Sequence, residues 1–156
     1  MLRDIIDKTG IPFQKKILSL ANYSPYIISN KLIFISGQLP LVNQKLLYKG
    51  KIGIDINEEK AKKSIQTSVL NLLSVLDVAM LRNNISLKSL KVLNIKGYLN
   101  VSTDFSNHSE IFNAASDILI DILGKNNGRH SRSVIGVNSL PLNSPVEIDG
   151  IFGFEK

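Results

Sequence analysis

Two segments of this chain carry apolar residues at helical spacing, and the longer one is the strongest constraint on the fold. It follows Asn57, a residue that can cap a helix, and its stripe consists of Ala61, Ile65, Val69, Leu72, Leu73, Leu76 and Met80. The second follows the turn residues 103–107, and Gly124 is placed to end it. Its stripe consists of Ile111, Phe112, Ala115, Ile118, Leu119, Ile122 and Leu123. The spacing predicts two amphipathic helices, each with one face that must be buried.

Alternating or apolar-rich segments before, between and after these helices predict the strands of a sheet. Residues 26–28 and 32–36 are typical of a hairpin, and residues 133–139 and 146–154 of two final strands. In the final strand one face consists of Val146, Ile148, Phe152 and Phe154, which puts Glu147 and Asp149 on the other. In the strand predicted at 89–102, one face consists of Leu93, Ile95, Leu99 and Val101.

The order of these elements predicts an α+β fold in which two helices pack on one face of the sheet. The other face, which carries Glu147 and Asp149, then needs water or another subunit. The remaining predictions are a helical turn at 1–8, an extended stretch at 17–20, a long surface loop at 41–57 and a loop at 126–128. With 156 residues the chain fits a single domain, 1–156, of which residues 1–16 form a short N-terminal extension.

Composition excludes several kinds of site. The chain has no cysteine, which removes disulfides, thiolate nucleophiles and cysteine zinc sites. It has two histidines, His108 and His130, and a loop histidine such as His130 is more typical of an exposed or interface donor than of a proton carrier. We expect no metal and no cofactor, although the carboxylates leave a magnesium site open.

The pattern of charge and hydropathy bears on location and partners. No run of 18 apolar residues is present and Met1–Lys8 mixes charges of both signs, so we expect no membrane span, no secretory signal and a cytoplasmic location. The net charge is +6, but 15 of the 19 basic residues are scattered lysines. A general bias toward Lys, Ile and Asn explains this excess as well as nucleic-acid binding does, so we expect no nucleic-acid partner.

Several short motifs, in order, resemble the YjgF/RidA family. They are Tyr26, Ser36-Gly37-Gln38-Leu39-Pro40, Asp104-Phe105, Arg132-Ser133, Leu140-Pro141 and Val146-Glu147-Ile148. The resemblance spans roughly residues 20–155. It is best to the longer branch described as putative endoribonuclease L-PSP or chorismate-mutase-like, which has counterparts of residues 113–117 and 128–133.

The resemblance implies a chorismate-mutase-like fold with a mixed sheet, assembled as a homotrimer with a small-molecule cleft at each subunit interface. The best-described members hydrolyse 2-imino acids, such as 2-iminobutanoate and 2-iminopropanoate, to 2-oxo acids and ammonia. Other members only bind metabolites. The implied ligand is a small carboxylate, either an imino acid or an oxo acid.

Arg132 and Glu147 are the first candidates for the site. A guanidinium is a fixed fork of donors that matches a carboxylate, and Arg132 also matches the family's carboxylate-binding arginine. Glu147 matches a glutamate of the family's cleft, and it would act as a general acid or base if burial tunes its pKa. From the residues alone, the alternatives are a surface arginine paired with an acid and a solvated or interface glutamate.

Further residues are carried over from the family. Tyr26 would supply an aromatic wall and a hydroxyl, and Gly37 a close approach of backbone to ligand; simple packing and a turn glycine are the alternatives. Asn113 lies near a family cleft residue, with Ser109 as a competing match. Val134 stands where many deaminase members have a cysteine, two residues after the arginine.

Three functions follow from this resemblance. The first is hydrolysis of 2-imino acids, with Arg132 holding the carboxylate and Glu147 moving protons. The second is a non-catalytic trimer that binds a carboxylate metabolite in the same cleft. The third is RNA binding or cleavage, which would call for aromatic platforms among basic residues.

Overall fold

A computed structural model describes residues 1–15 and 22–155 of the chain. The helices are α1 (Leu2–Lys8), α2 (Glu58–Arg82) and α3 (His108–Gly128). The strands are β1 (Tyr26–Ser29), β2 (Leu32–Gln38), β3 (Leu41–Val42), β4 (Lys45–Leu46), β5 (Leu90–Asn100), β6 (Ser131–Val137) and β7 (Val146–Phe154). The extended stretch predicted at 17–20 lies outside the described residues.

The main sheet has five strands in the order β1-β2-β7-β5-β6, so β1 and β6 are its edges. Strands β5 and β6 are parallel and are joined through α3, whereas the other neighbours are antiparallel. Helices α2 and α3 pack against each other and against one face of this mixed sheet. The predicted α+β layer with two helices on one face is therefore confirmed.

Both predicted helical stripes form the core. Every residue of the two stripes is buried, with Leu123, at 8% exposure, the most exposed of them. Asn57 caps α2 because its side chain accepts a hydrogen bond from the backbone N–H of Lys60. The buried face of α2 extends beyond the stripe, and 83% of its most apolar 18-residue window is buried inside the protein. By length and composition α2 could cross a membrane, but burial of this extent is typical of a core helix.

The end of α3 differs from the prediction. Gly124 leaves helical geometry with φ +78°, as a terminating glycine does, but the chain then resumes helical turns to Gly128. A Cβ on Gly128 would lie 2.7 Å from the Leu119 carbonyl oxygen and 2.8 Å from the Ile120 Cα. Because Gly128 has no side chain, the last turn of α3 can pack closely against the backbone of Leu119 and Ile120. The prediction of a loop at 126–128 is therefore wrong.

The face predicted for Leu93 is wrong because β5 contains a bulge. The register with β7 shifts between Val92 and Asn94, which reverses the alternation at that point. Val92 and Ile95 are both buried, whereas Leu93 is 39% exposed. Alternation alone does not reveal a bulge, since the extra residue leaves no signal in the hydrophobic pattern.

The segment predicted as a surface loop at 41–57 is partly structured. It contains the small hairpin β3–β4, and Ile52 and Ile56 enter the core. The Lys51 ammonium donates to the Asn100 side-chain oxygen at 2.9 Å and also to the backbone carbonyls of Val101 and Asn138. This lysine therefore fastens the segment to the ends of β5 and β6.

Residues 1–15 pack against the rest of the domain. Leu2, Ile6 and Phe13 are buried in the common core. The Thr67 hydroxyl donates to the Pro12 carbonyl at 3.0 Å, and the Asn71 side-chain oxygen accepts from the Gln14 N–H at 2.7 Å. The N-terminal segment thus closes one side of α2.

Candidate functional site

The sheet face opposite the helices carries a cleft of about 670 Å³. Two carboxylates, Glu147 and Asp149, stand in it beside a mainly apolar wall. That wall includes Tyr23, Ile27, Phe34, Ile35, Leu39 and Pro141. Ile27 and Phe34 are 57% and 40% exposed in the single chain, so this face presents large apolar side chains around an acidic pair.

Glu147 and Gly37, which the sequence proposed for one cleft, do lie together. A Cβ built on Gly37 would lie 2.0 Å from Oε1 of Glu147, so only a glycine leaves room for the carboxyl group in this position. Glu147 is half-buried on β7, directly across from Tyr98 of β5. Burial, and secondly the charge of Asp149, raises the pKa of Glu147 above its usual 4.5.

Asp149 has two partners from β5. The Tyr98 hydroxyl donates to Oδ2 at 2.8 Å, and the Lys96 ammonium lies 3.7 Å from Oδ1. Desolvation, and then the bond to Asp149, raises the pKa of Tyr98 to about 12. The sequence predicted Asp149 on this face without a role, and it did not indicate Tyr98. Alternation along one strand does not reveal which residues of a neighbouring strand stand opposite.

Arg132 points away from this cleft. Its register partner across β5–β6 is Ile95, a core residue, so its side chain lies on the helix side of the sheet. One guanidinium nitrogen, Nη1, donates to Ser116 Oγ at 2.9 Å. The other, Nη2, donates to Asn113 Oδ1 at 2.8 Å and to the Ser109 carbonyl at 3.0 Å. Asn113 and Ser109, the two competing matches from the sequence, therefore both contact Arg132.

His130 contacts Ser116, one of the residues that bind the Arg132 guanidinium. Its Nδ1 lies 2.6 Å from the Gly128 carbonyl, which can only accept, so Nδ1 carries a proton. Its Nε2 lies 3.0 Å from Ser116 Oγ, the same hydroxyl that accepts from Arg132. In this structure His130 holds Ser116 in place and does not line the acidic cleft.

The other two carried-over residues also lie away from the cleft in the single chain. Tyr26 pairs with Ile35 and packs against the core, and the tyrosine that lines the cleft is Tyr23. Val134 is half-buried two residues beyond Arg132 and packs against the core near Gly97, its register partner. Within residues 1–15 and 22–155, no group of three or more His, Asp or Glu side chains could hold a metal ion.

One chain therefore presents two separate half-sites. The acidic half-site is Gly37, Glu147 and Asp149 on the open face, and the arginine half-site is Arg132, Asn113 and Ser116 at the β6 edge. They lie on opposite faces of the sheet, so within one chain the arginine does not reach the carboxyl group of Glu147. A ligand held by both would have to lie between two copies of the chain.

Residues 6–151 match the model of the family described as "YjgF/chorismate mutase-like, putative endoribonuclease". The chain belongs to this family. A crystal structure of a "putative endoribonuclease" from Shewanella oneidensis MR-1 is 28% identical, covers 99% of both chains and has a TM-score of 0.87. Membership confirms both the resemblance found in the sequence and the chorismate-mutase-like α+β fold.

Two further proteins are similar to this chain, one in sequence and one in fold. Protein TCP17 of Trypanosoma cruzi is 27% identical over 146 residues, which is 94% of this chain and 89% of that protein. Escherichia coli TdcF, solved with bound serine, is 15% identical, covers 88% of this chain and 91% of its own, and has a TM-score of 0.61. At this identity the TdcF structure shows a common fold.

Proposed function

We propose that this protein hydrolyses 2-imino acids to 2-oxo acids and ammonia in clefts between the subunits of a homotrimer. The observation that carries the proposal is the division of the site into two half-sites on opposite faces of the sheet. An exposed apolar face with an acidic pair at its centre favours contact with a second copy. Such a contact would bring an arginine half-site next to an acidic half-site.

Each half-site suits one part of the proposed substrate. Three N–H donors of Arg132 are used by Asn113, Ser109 and Ser116, which fixes the orientation of the guanidinium and leaves two further N–H donors for a substrate carboxylate. The acidic half-site suits the imino nitrogen, because a carboxyl group with a raised pKa can donate a proton to it. The apolar wall favours substrates with an apolar side chain.

The reaction balances with water as the only co-reactant. Glu147 donates its proton to the imino nitrogen, and water then adds to C2 while the Glu147 carboxylate takes a proton from it. In the resulting carbinolamine the proton returns from Glu147 to the nitrogen and the C–N bond breaks. The hydroxyl gives its proton to the Glu147 carboxylate as it becomes the carbonyl of the 2-oxo acid, and ammonia leaves, so Glu147 is protonated again. No step uses a thiol, so Val134 in the cysteine position is compatible with this scheme.

A carboxylate-binding protein without turnover is the second candidate, and the serine bound to TdcF is a ligand of that chemical class. RNA cleavage is favoured less, because the two carboxylates in the cleft repel a phosphate backbone.

The test is ammonia release from freshly generated 2-iminobutanoate and 2-iminopropanoate, with light scattering to measure the assembly. We expect acceleration by the wild type, loss of it in Arg132→Ala and Glu147→Gln, and full activity in Arg129→Ala, an exposed arginine three residues from Arg132. Absence of acceleration by an assembled trimer would overturn the deaminase proposal. Stabilisation by a 2-oxo acid without turnover would then support the second candidate.

A further inference from the structure

Asp149 is a second carboxylate in the acidic half-site, and the proposed reaction does not use it. It lies two residues after Glu147 on β7, so the two Cα atoms are about 7 Å apart and both side chains face the cleft. Two like charges at this spacing on a half-buried surface disfavour each other. The surroundings then decide which of the two groups keeps its proton.

The contacts of the two carboxyl groups differ. Asp149 accepts the Tyr98 hydroxyl at 2.8 Å and lies 3.7 Å from the Lys96 ammonium, and both contacts favour its ionised form. Glu147 has no hydrogen-bond or ion-pair partner among the residues that the structure describes. Its carboxyl group lies against Gly37, which offers space and no charge.

The pKa directions agree with this geometry. Burial and the charge of Asp149 raise the pKa of Glu147, and the pKa of Tyr98 is raised to about 12, so Tyr98 remains a donor at any physiological pH. The titratable groups that face Glu147 are Asp149 on its own strand, Tyr98 and Lys96 on β5, and Tyr23 on the cleft wall. Strand β2 contributes Ser36 and Gly37.

We propose that Asp149 is a positioning residue of this site: fixed by Tyr98 and Lys96, it carries the negative charge of the pair, so that Glu147 carries the proton. Unequal environments divide two carboxyl groups into an acid and an anion. The anion also attracts a cationic iminium nitrogen and repels a second carboxylate. The inference rests on the proposed function and narrows its substrates to monocarboxylic imino acids.

The test is a carbon-13 NMR titration of the glutamate side-chain carboxyl groups in protein without substrate. The resonance of Glu147 is assigned by its absence in Glu147→Gln. In Asp149→Asn we expect the midpoint of Glu147 to move to lower pH. In Asp121→Asn, which removes the same charge from an exposed position of α3, the midpoint should stay in place. If Asp149→Asn does not assemble, Asp149→Glu keeps the charge and should keep the raised midpoint.

Turnover provides a second readout. If Glu147 acts in its protonated form, the rate falls as pH rises through its pKa, and Asp149→Asn should move this fall to lower pH. An unchanged Glu147 midpoint in Asp149→Asn overturns the role of Asp149, whatever the activity. A wild type that does not hydrolyse imines overturns the proposed function alone, because the titration is measured without substrate.

Discussion

The two half-sites of this protein are built in opposite ways. In the arginine half-site the guanidinium of Arg132 donates to three oxygens of its own chain and lies 5.7 Å from the centre of the Phe112 ring. In the acidic half-site the Glu147 carboxyl has no such partner among the described residues, and it lies against a glycine.

This difference separates the two tasks of the proposed reaction. A group that binds gains from being held in place, because its orientation is fixed before the ligand arrives. A group that transfers protons gains from a pKa moved toward the working pH, and partial burial without a counter-charge achieves this. The arginine half-site is therefore expected to govern affinity and the acidic half-site to govern rate.

Among substitutions that keep both Arg132 and Glu147, the largest effect is expected from Gly37→Ala. The new Cβ would lie only 2.0 Å from Oε1 of Glu147, so it would displace the carboxyl group. We expect kcat to fall by about 10²-fold or more, approaching the loss of a general acid. The melting temperature should change little, because the end of the flexible Glu147 side chain can move aside. The measurements are steady-state kinetics and thermal unfolding.

Gly153→Ala is the matched control on β7. The atoms nearest to its Cβ would belong to the Leu93 side chain, at 3.1 Å, far along the strand from Glu147. It should keep full kcat. Normal kcat in Gly37→Ala would mean that the position of Glu147 is not critical to the reaction.

Arg132→Lys should raise KM more than it lowers kcat. Lysine keeps the charge but loses the planar fork and the simultaneous contacts with Ser116 and Asn113. Loss of a charge-assisted hydrogen bond corresponds to a rise of about 10- to 100-fold in KM. Arg129→Lys should behave as the wild type. A KM that does not change in Arg132→Lys would remove the arginine from substrate binding.

Ser116→Ala tests the support behind Arg132. It removes the acceptor of Nη1 and the partner of His130, at a cost of about 1 kcal/mol, or roughly a 5-fold rise in KM. Ser109→Ala is the control, because Arg132 bonds to the backbone carbonyl of Ser109 and alanine keeps that group. If both variants bind substrate equally well, the hydroxyl of Ser116 does not position the guanidinium.

An element of this fold is predictable from sequence where a single periodicity determines it. Both helical stripes and the hairpin of β1 and β2 are confirmed, because local spacing determines which face is buried. The resemblance to the family also assigned Gly37 and Glu147 to one cleft, and the two residues do lie together. The Leu93 face and the loop at 126–128 were missed because they depend on a bulge and on helix packing at Gly128.

The site was harder to predict than the fold. The side of the sheet that Arg132 faces depends on the register of β6 against β5, which no local pattern encodes. The contact between Tyr98 and Asp149 depends in the same way on the register of β5 against β7. Tyr26 and Tyr23 are three residues apart, and only the packing of β1 shows that Tyr23 lines the cleft.

The smallest expected effect concerns stability and pH. Because folding raises the pKa of Glu147, the folded protein keeps this proton at pH values where the unfolded chain, with a pKa near 4.5, has released it. Below about pH 4 Glu147 is protonated in both states and does not lower the free energy of unfolding. As pH rises through 4.5 toward the folded pKa, ionisation of Glu147 stabilises the unfolded chain, and the free energy of unfolding falls.

Glu147→Gln removes this cost, since glutamine does not titrate. We expect its melting temperature to exceed that of the wild type at pH 7 and to converge with it at pH 4, while its activity is lost. Glu110→Gln, at an exposed position of α3, should melt like the wild type at both values. If Glu147→Gln is instead less stable at pH 7, the ionised carboxylate has a stabilising partner in the assembled protein, and the acidic half-site is as well satisfied as the arginine half-site.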